Sequence, residues 1–240
     1  MLIASPRHSA ADIRHWATLE RGDALLAKSA RLAEKERRAA ETIAAFAGSR
    51  RCYLGVSWGK DSVVVAGIAA RAGVRVPFVW VRVEPMANPD CVLVRDAFLR
   101  AHNVDYHEIL VQCERGPDGQ YPETGRLKEG FVAAAERFGD AYISGVRGDE
   151  SGSRKRRMAM HGTDTLRTCA PIGWWSGDDV FAYLYAHGLP VHPAYACTMG
   201  GALDRKRLRV ATIGGSRGTG HGRAEGETRY YRETLRLVRG

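Results

Sequence analysis

The sequence predicts an α/β protein with a mostly parallel, doubly wound sheet of Rossmann-like organisation, preceded by a helical arm and followed by a basic tail. Two observations carry this. From Cys52 onward, short apolar runs alternate with helix-length segments, which is the rhythm of βα units whose sheet is covered by helices on both faces. Before that, residues 10–47 contain no proline, a single glycine at 22, and an abundance of Ala, Leu, Glu, Lys and Arg, all strong helix formers. The expected units are an N-terminal helical arm (1–48), an α/β domain (49–210), and a Gly-rich loop with a basic C-terminal helix (211–240).

In order, the arm reads as one long helix or two in series. Leu19, Leu26 and Ala30, then Leu32, Ala39, Ile43 and Phe46, recur at helical spacing, so the arm should lay an apolar stripe on the main domain or, in a homo-oligomer, on a second subunit. Strands are expected at Cys52–Val56, Phe78–Val83, His107–Val111, Ala141–Ser144 and Thr165–Cys169, with helices at Ser62–Ala72, Asp90–Ala101, up to Phe138, and Ser151–Met160. A polar loop spans Glu114–Gly125. Ser176 and Asp179 form a capping box opening a helix over Asp178–His187, which Gly188 and Pro190 end. Gly214–Gly222 reads as a loop before an amphipathic Glu225–Val238 helix.

Composition narrows the functional classes. The chain has 240 residues, enough to bury a core without crosslinks, and its five cysteines form no Cys-x-x-Cys pair, which disfavours a disulfide framework or a regular zinc site. A reducing, cytoplasmic compartment is expected. No stretch approaches the roughly 20 apolar residues of a membrane span. The net charge is +9, and residues 205–240 hold ten Arg/Lys against three Glu, leaving +7 there. Such asymmetry suits a polyanion such as nucleic acid, or simply a solvated cationic face. Arg154-Lys155-Arg156-Arg157 and Arg205, Lys206, Arg207 and Arg209 are the candidate backbone contacts, with Tyr230, Tyr231 or Trp58 as stacking surfaces.

The sharpest local signal is the strand Cys52–Val56 running straight into Ser57-Trp58-Gly59-Lys60-Asp61-Ser62 and then a helix. At a strand's carboxyl end, Gly59 lets backbone N–H groups approach phosphate oxygens, the helix start adds donors and a positive dipole end, and Lys60 adds a full charge. Ser57 and Ser62 supply hydroxyls. Asp61 is acidic for an anion site and points to Mg²⁺ bridging phosphate and carboxylate. The loop is not a Walker A motif, since Gly55 lies one residue too near Gly59 and Asp61 follows the lysine.

Instead, the loop closely resembles the Ser-Gly-Gly-Lys-Asp-Ser loop of the PP-loop ATP pyrophosphatases, with Trp58 in place of the first glycine. The resemblance implies cleavage of ATP between its α and β phosphates and adenylation of a substrate. Gly145-Val146-Arg147-Gly148-Asp149-Glu150-Ser151 with Arg154, Pro171–Trp175, Asp178–Leu184, Leu189-Pro190 and His192-Pro193-Ala194-Tyr195 look like the phosphoadenosine phosphosulfate (PAPS) reductase branch of that superfamily, over roughly residues 50–215. That likeness implies Arg147 and Arg154 near phosphate or substrate.

The expected roles follow. Lys60 neutralises phosphate charge, Asp61 with Mg²⁺ positions pyrophosphate, and Arg147 stabilises transition-state charge. Glu84, Glu150, Arg207 and Arg209 are possible substrate contacts, the last two alternating as on a strand. True sulfonucleotide reductases attack with a cysteine in a Glu-Cys-Gly-like motif, and no cysteine follows Cys197 here. An ATP pyrophosphatase acting in sulfur transfer or nucleic-acid modification, as in DNA phosphorothioation, therefore ranks above a reductase, and a sulfur-donor protein is a possible partner. The third possibility is a non-catalytic nucleotide- or nucleic-acid-binding module. The cysteines read as inert, with an iron–sulfur cluster possible but not indicated by their spacing. Trp174 and Trp175 read as core, and His161, His187, His192 and His221 show no metal-ligand spacing.

Overall fold

The structure, a computed structural model, describes residues 1–117 and 126–210. The predicted Gly214–Gly222 loop, the Glu225–Val238 helix, Tyr230, Tyr231 and most of the 114–125 loop lie outside the described residues.

The arm is two helices, α1 (Ala10–Ala27) and α2 (Ala30–Gly48). The break falls at Ser29, whose side chain accepts from Leu32 N–H and so caps α2. Leu32, Ala39, Ile43 and Phe46 are buried, whereas Ala30 is exposed. This stripe belongs to the main core, so a second subunit is not needed to cover it. Trp16 of α1 meets Phe181 edge-on at 5.9 Å.

The α/β part runs β1 (Cys52–Gly55), α3 (Lys60–Arg71), β2 (Phe78–Glu84), α4 (Cys91–Ala101), β3 (Tyr106–Gln112), α5 (Leu127–Phe138), β4 (Ala141–Ile143), α6 (Gly152–His161), β5 (Thr168–Cys169) and α7 (Gly177–Ala186). The pairings between these strands are parallel, in the order β3-β2-β1-β4-β5. β5 is shorter than expected because Thr165 N–H bonds to Thr168 O, closing a turn over residues that were to extend the strand.

The sheet separates two apolar layers. On one face β1, α1–α4 and α7 share the large core, including Leu54, Val64, Ile68, Phe98 and Tyr183. On the other, α5 sets Ala134 and Phe138 over Tyr53 and Val79. Such two-sided burial is what parallel sheets require.

The capping box at α7 forms as the sequence predicts, and it does more than end a helix. Asp179 accepts from Ser176 N–H at 2.8 Å and also pairs with Lys35 at 2.6 Å and Arg31 at 3.0 Å, locking α2 to the start of α7. A second arm contact corrects the reading of the basic tail. Arg205 is 4 % exposed, binds both carboxylate oxygens of Asp23 on α1 at 2.6 and 2.7 Å, and stacks 4.0 Å over the Phe181 ring. It is a structural clamp, not a backbone-tracking cation. No helix among the described residues is long and apolar enough to cross a membrane.

Candidate nucleotide site

In open α/β sheets a crevice opens at the carboxyl ends of two strands whose connections leave in opposite directions. Here that point lies between β1 and β4, since β2 and β3 continue on one side of β1 and β5 on the other. The pairing of Leu54 with Ile143 brings the two following loops together. They enclose a cavity of about 290 Å³ lined by Ser57, Gly59, Lys60, Asp61, Ser62 and Gly145, with Glu150, Arg154, Tyr195 and Arg209 around it.

The loop is braced by its own hydroxyls. Ser62 Oγ donates to Gly59 O at 3.0 Å and accepts from Ser57 N–H at 3.2 Å. Position 58 has φ 60°, the left-handed region that favours glycine, which explains the glycine of the resembled loop. Trp58 occupies it with its ring fully buried, 5.6 Å from both Phe98 and Tyr106. The ring therefore faces the core, and the expectation of Trp58 as a stacking or phosphate-facing side chain is corrected; only its backbone belongs to the loop.

Lys60 and Asp61 form the charged floor. Lys60 is 3 % exposed; its Nζ lies 3.1 Å from Leu208 O and 3.2 Å from Asp61 Oδ2, while its N–H donates to Tyr195 Oη at 3.1 Å. Asp61 Oδ1 accepts from Arg147 Nε at 2.6 Å. Burial alone would raise the Asp61 pKa, but Lys60 and Arg147 outweigh it and hold the carboxyl below its ordinary value.

Arg147 stands behind this pair instead of in the cavity, which corrects its expected phosphate contact. It is 1 % exposed and also donates from Nη1 to Asp149 Oδ2 at 3.2 Å and to Trp175 O at 3.1 Å. Burial disfavours its charge, yet Asp61, with Glu150 and Asp149, outweighs this and raises its pKa. Asp149 Oδ2 further accepts from Gly177 N–H at 3.1 Å, tying the network to the start of α7. Glu150 lines the cavity, pairs with Arg154, and lies 3.7 Å from Arg209 Nε. Arg209 thus reaches the site from a segment held down by Leu208, though not from a strand, since Arg205–Arg207 form a 3-10 turn.

Gly145 is demanded by close approach. A Cβ there would sit 2.6 Å from Asp61 C and 2.8 Å from both Asp61 O and Ser62 N. Gly145→Ala is accordingly expected to cost about 1–3 kcal/mol in stability, read from urea unfolding; an unchanged midpoint would contradict the tight fit.

Other expectations fall away from the cavity. Glu84 ends β2 and pairs with Arg82, and Arg207 is exposed; neither lines the cavity. Trp175 is buried as expected, but Trp174 is 54 % exposed. All five cysteines are buried, none lines the cavity, and burial pushes the Cys91 and Cys169 thiols up. Among the described residues no three His, Cys, Asp or Glu gather as a metal site. Asp61 has a chain cation on each oxygen, so its charge is balanced within the protein. Gly55, Ser144, Val146, Tyr195 and Val210 complete the lining; none is among the expected site residues, although Val146 and Tyr195 belong to the quoted motifs.

Comparison with known proteins adds three findings. Residues 51–220 match the family described as the phosphoadenosine phosphosulfate reductase domain. The phosphoadenosine 5'-phosphosulfate reductase of Erwinia tasmaniensis is 26 % identical over 145 residues, 53 % of this chain and 56 % of that protein, and that of Cronobacter sakazakii is 27 % identical over 139 residues, 51 % and 54 %. The chain spans about half the length of the curated relatives it matches. Among solved structures, the NMN synthetase from Francisella tularensis aligns with a TM-score of 0.49 at 11 % identity over 87 % of this chain and 96 % of that one.

Proposed function

Because this chain belongs to the phosphoadenosine phosphosulfate reductase domain family, we propose that its cavity binds an adenine nucleotide, and that the nucleotide is ATP, cleaved to AMP and pyrophosphate as an acceptor is adenylated. The observation that carries this reading is the pairing of Lys60 with Asp61 at the mouth of α3, beside Arg154 and Arg209 in one cavity. A lysine on the strand-to-helix loop and two flanking guanidiniums supply charge for a triphosphate, with magnesium entering as part of the substrate. Phosphoryl and adenylyl transfer need mainly positioning and charge stabilisation. Arg147 serves as a positioning residue that fixes Asp61.

The likeness to reductases keeps a second reading, reduction of a sulfonucleotide. Against it stands the placement of the thiols: the attacking group must be an accessible thiolate, whereas every cysteine of this sequence is buried and none faces the cavity. One experiment separates the two. With Mg·ATP and candidate acceptors, AMP and pyrophosphate should appear; with PAPS and reduced thioredoxin, sulfite should not. Sulfite release together with absent AMP formation would reverse the ranking. DNA modification and a sulfur-donor partner are finer forms of the first reading, and the nature of the acceptor decides between them.

A further inference from the structure

The nucleotide cavity has a side chamber. Ser144, Val146 and Arg154 wall the main cavity on one side and, beyond it, a recess of about 50 Å³ between α6 and the chain that enters β5. Arg157 also lines this recess, three residues after Arg154 and so on the same helical face. Tyr142, Met158 and Ala170 line it too, as do Thr163, Thr165 and Thr168. The last two are held as a pair, with their hydroxyls 2.9 Å apart and Thr165 Oγ1 accepting from Thr168 N–H at 3.0 Å.

The two chambers differ in charge. Asp61 and Glu150 line the larger one, whereas no carboxylate lines the recess. Arg154 is matched by Glu150, but Arg157 is exposed and has no ion pair among the described residues. A small chamber with an uncompensated guanidinium, threonine side chains and no carboxylate in its lining suits an oxyanion better than a cation.

We propose that this recess is the acceptor subsite and that it takes a phosphate-type oxyanion, an inference that rests on reading the larger cavity as the ATP site. In the step, an oxygen of the acceptor phosphate bonds to the α-phosphorus of ATP, the bond from that phosphorus to the α–β bridging oxygen breaks, and pyrophosphate leaves with its magnesium. Nothing is oxidised or reduced. A phosphate oxygen is already anionic at neutral pH, so no proton has to be removed, which suits a site whose lining holds no histidine and whose two carboxylates are both ion-paired. The phosphate could belong to a small phosphomonoester or to a nucleic-acid phosphodiester, and the test separates these sources.

The test uses the full chain saturated with α,β-methylene-ATP, which blocks the main cavity without turnover. Inorganic phosphate, glycerol phosphate and a short single-stranded oligonucleotide lacking terminal phosphates are then titrated calorimetrically. Inorganic phosphate should bind the wild type, and Arg157→Ala should weaken it by about tenfold to a hundredfold, the usual worth of a charge-assisted hydrogen bond. Arg156→Ala, exposed and outside the recess lining, should change it less than twofold, and analogue affinity should stay within twofold in both variants. Tighter binding of glycerol phosphate assigns a small acceptor, and tighter binding of the oligonucleotide assigns a nucleic acid. No phosphate binding to the wild type, equal binding by Arg157→Ala, or competition between phosphate and the analogue would overturn the subsite. If the analogue itself does not bind, the ATP reading fails instead; phosphate titrated alone into wild type, Arg157→Ala and Lys60→Ala then still decides the recess, which predicts loss only with Arg157→Ala.

Discussion

Replacing Lys60 with alanine should lower AMP and pyrophosphate formation by about two to three orders of magnitude, the usual consequence of deleting one preorganised charge aimed at the reacting phosphates. The side chain is buried, its ammonium lies 3.2 Å from Asp61 Oδ2, and it is held from behind by Leu208 O. No mobile surface lysine could replace it at the same place without ordering a long side chain. Binding should show the same origin: if the lysine serves the distal phosphates, the affinity for ATP should fall more than that for AMP. Equal losses for the two nucleotides, measured by calorimetry, would remove Lys60 from that role.

Removing Arg147 should act on stability before chemistry. Arg147→Ala leaves Asp61 with one partner in place of two, Asp149 with only the Gly177 N–H as donor, and Trp175 O without the guanidinium. Breaking a buried ion pair from one side costs about 3–5 kcal/mol, which for a chain of this size lowers Tm by roughly 10 °C. Arg147→Lys should recover only part of this, because an ammonium cannot reproduce the fork that reaches Asp61, Asp149 and a carbonyl together. A Tm within a degree or two of wild type for Arg147→Ala would show that the pair is not structural. Wild-type ATP affinity in a folded variant would agree with a residue behind the floor of the site.

What the sequence disclosed and what it hid divide along the range of the interactions. The strand-to-helix loop at 57–62 and the alternation that builds the sheet depend on neighbours a few residues apart, and they were legible from spacing alone. So was the Ser176–Asp179 capping box. The burial of Arg147 depends on Asp61, 86 positions earlier, and that of Arg205 on Asp23, 182 positions earlier. Arg147 therefore read as a phosphate-facing arginine and Arg205 as a cation of the basic tail, although each is fixed inside the protein. Trp58 shows the opposite case. Its position carried the phosphate-loop signal, but its ring serves the core because β3 and α4 bring Tyr106 and Phe98 against it. Tyr195 joins the site from beyond α7, and only its place in the quoted His-Pro-Ala-Tyr motif pointed there.

The central claim is that the cavity between the β1 and β4 loops holds the phosphates of ATP, and it is tested most directly by a crystal structure of the chain with magnesium and α,β-methylene-ATP. The phosphates should lie against the backbone of Ser57–Ser62, within reach of Lys60 and Arg154, at the carboxyl edge of the sheet. An adenine nucleotide seated elsewhere, with this cavity left to solvent, would contradict the claim.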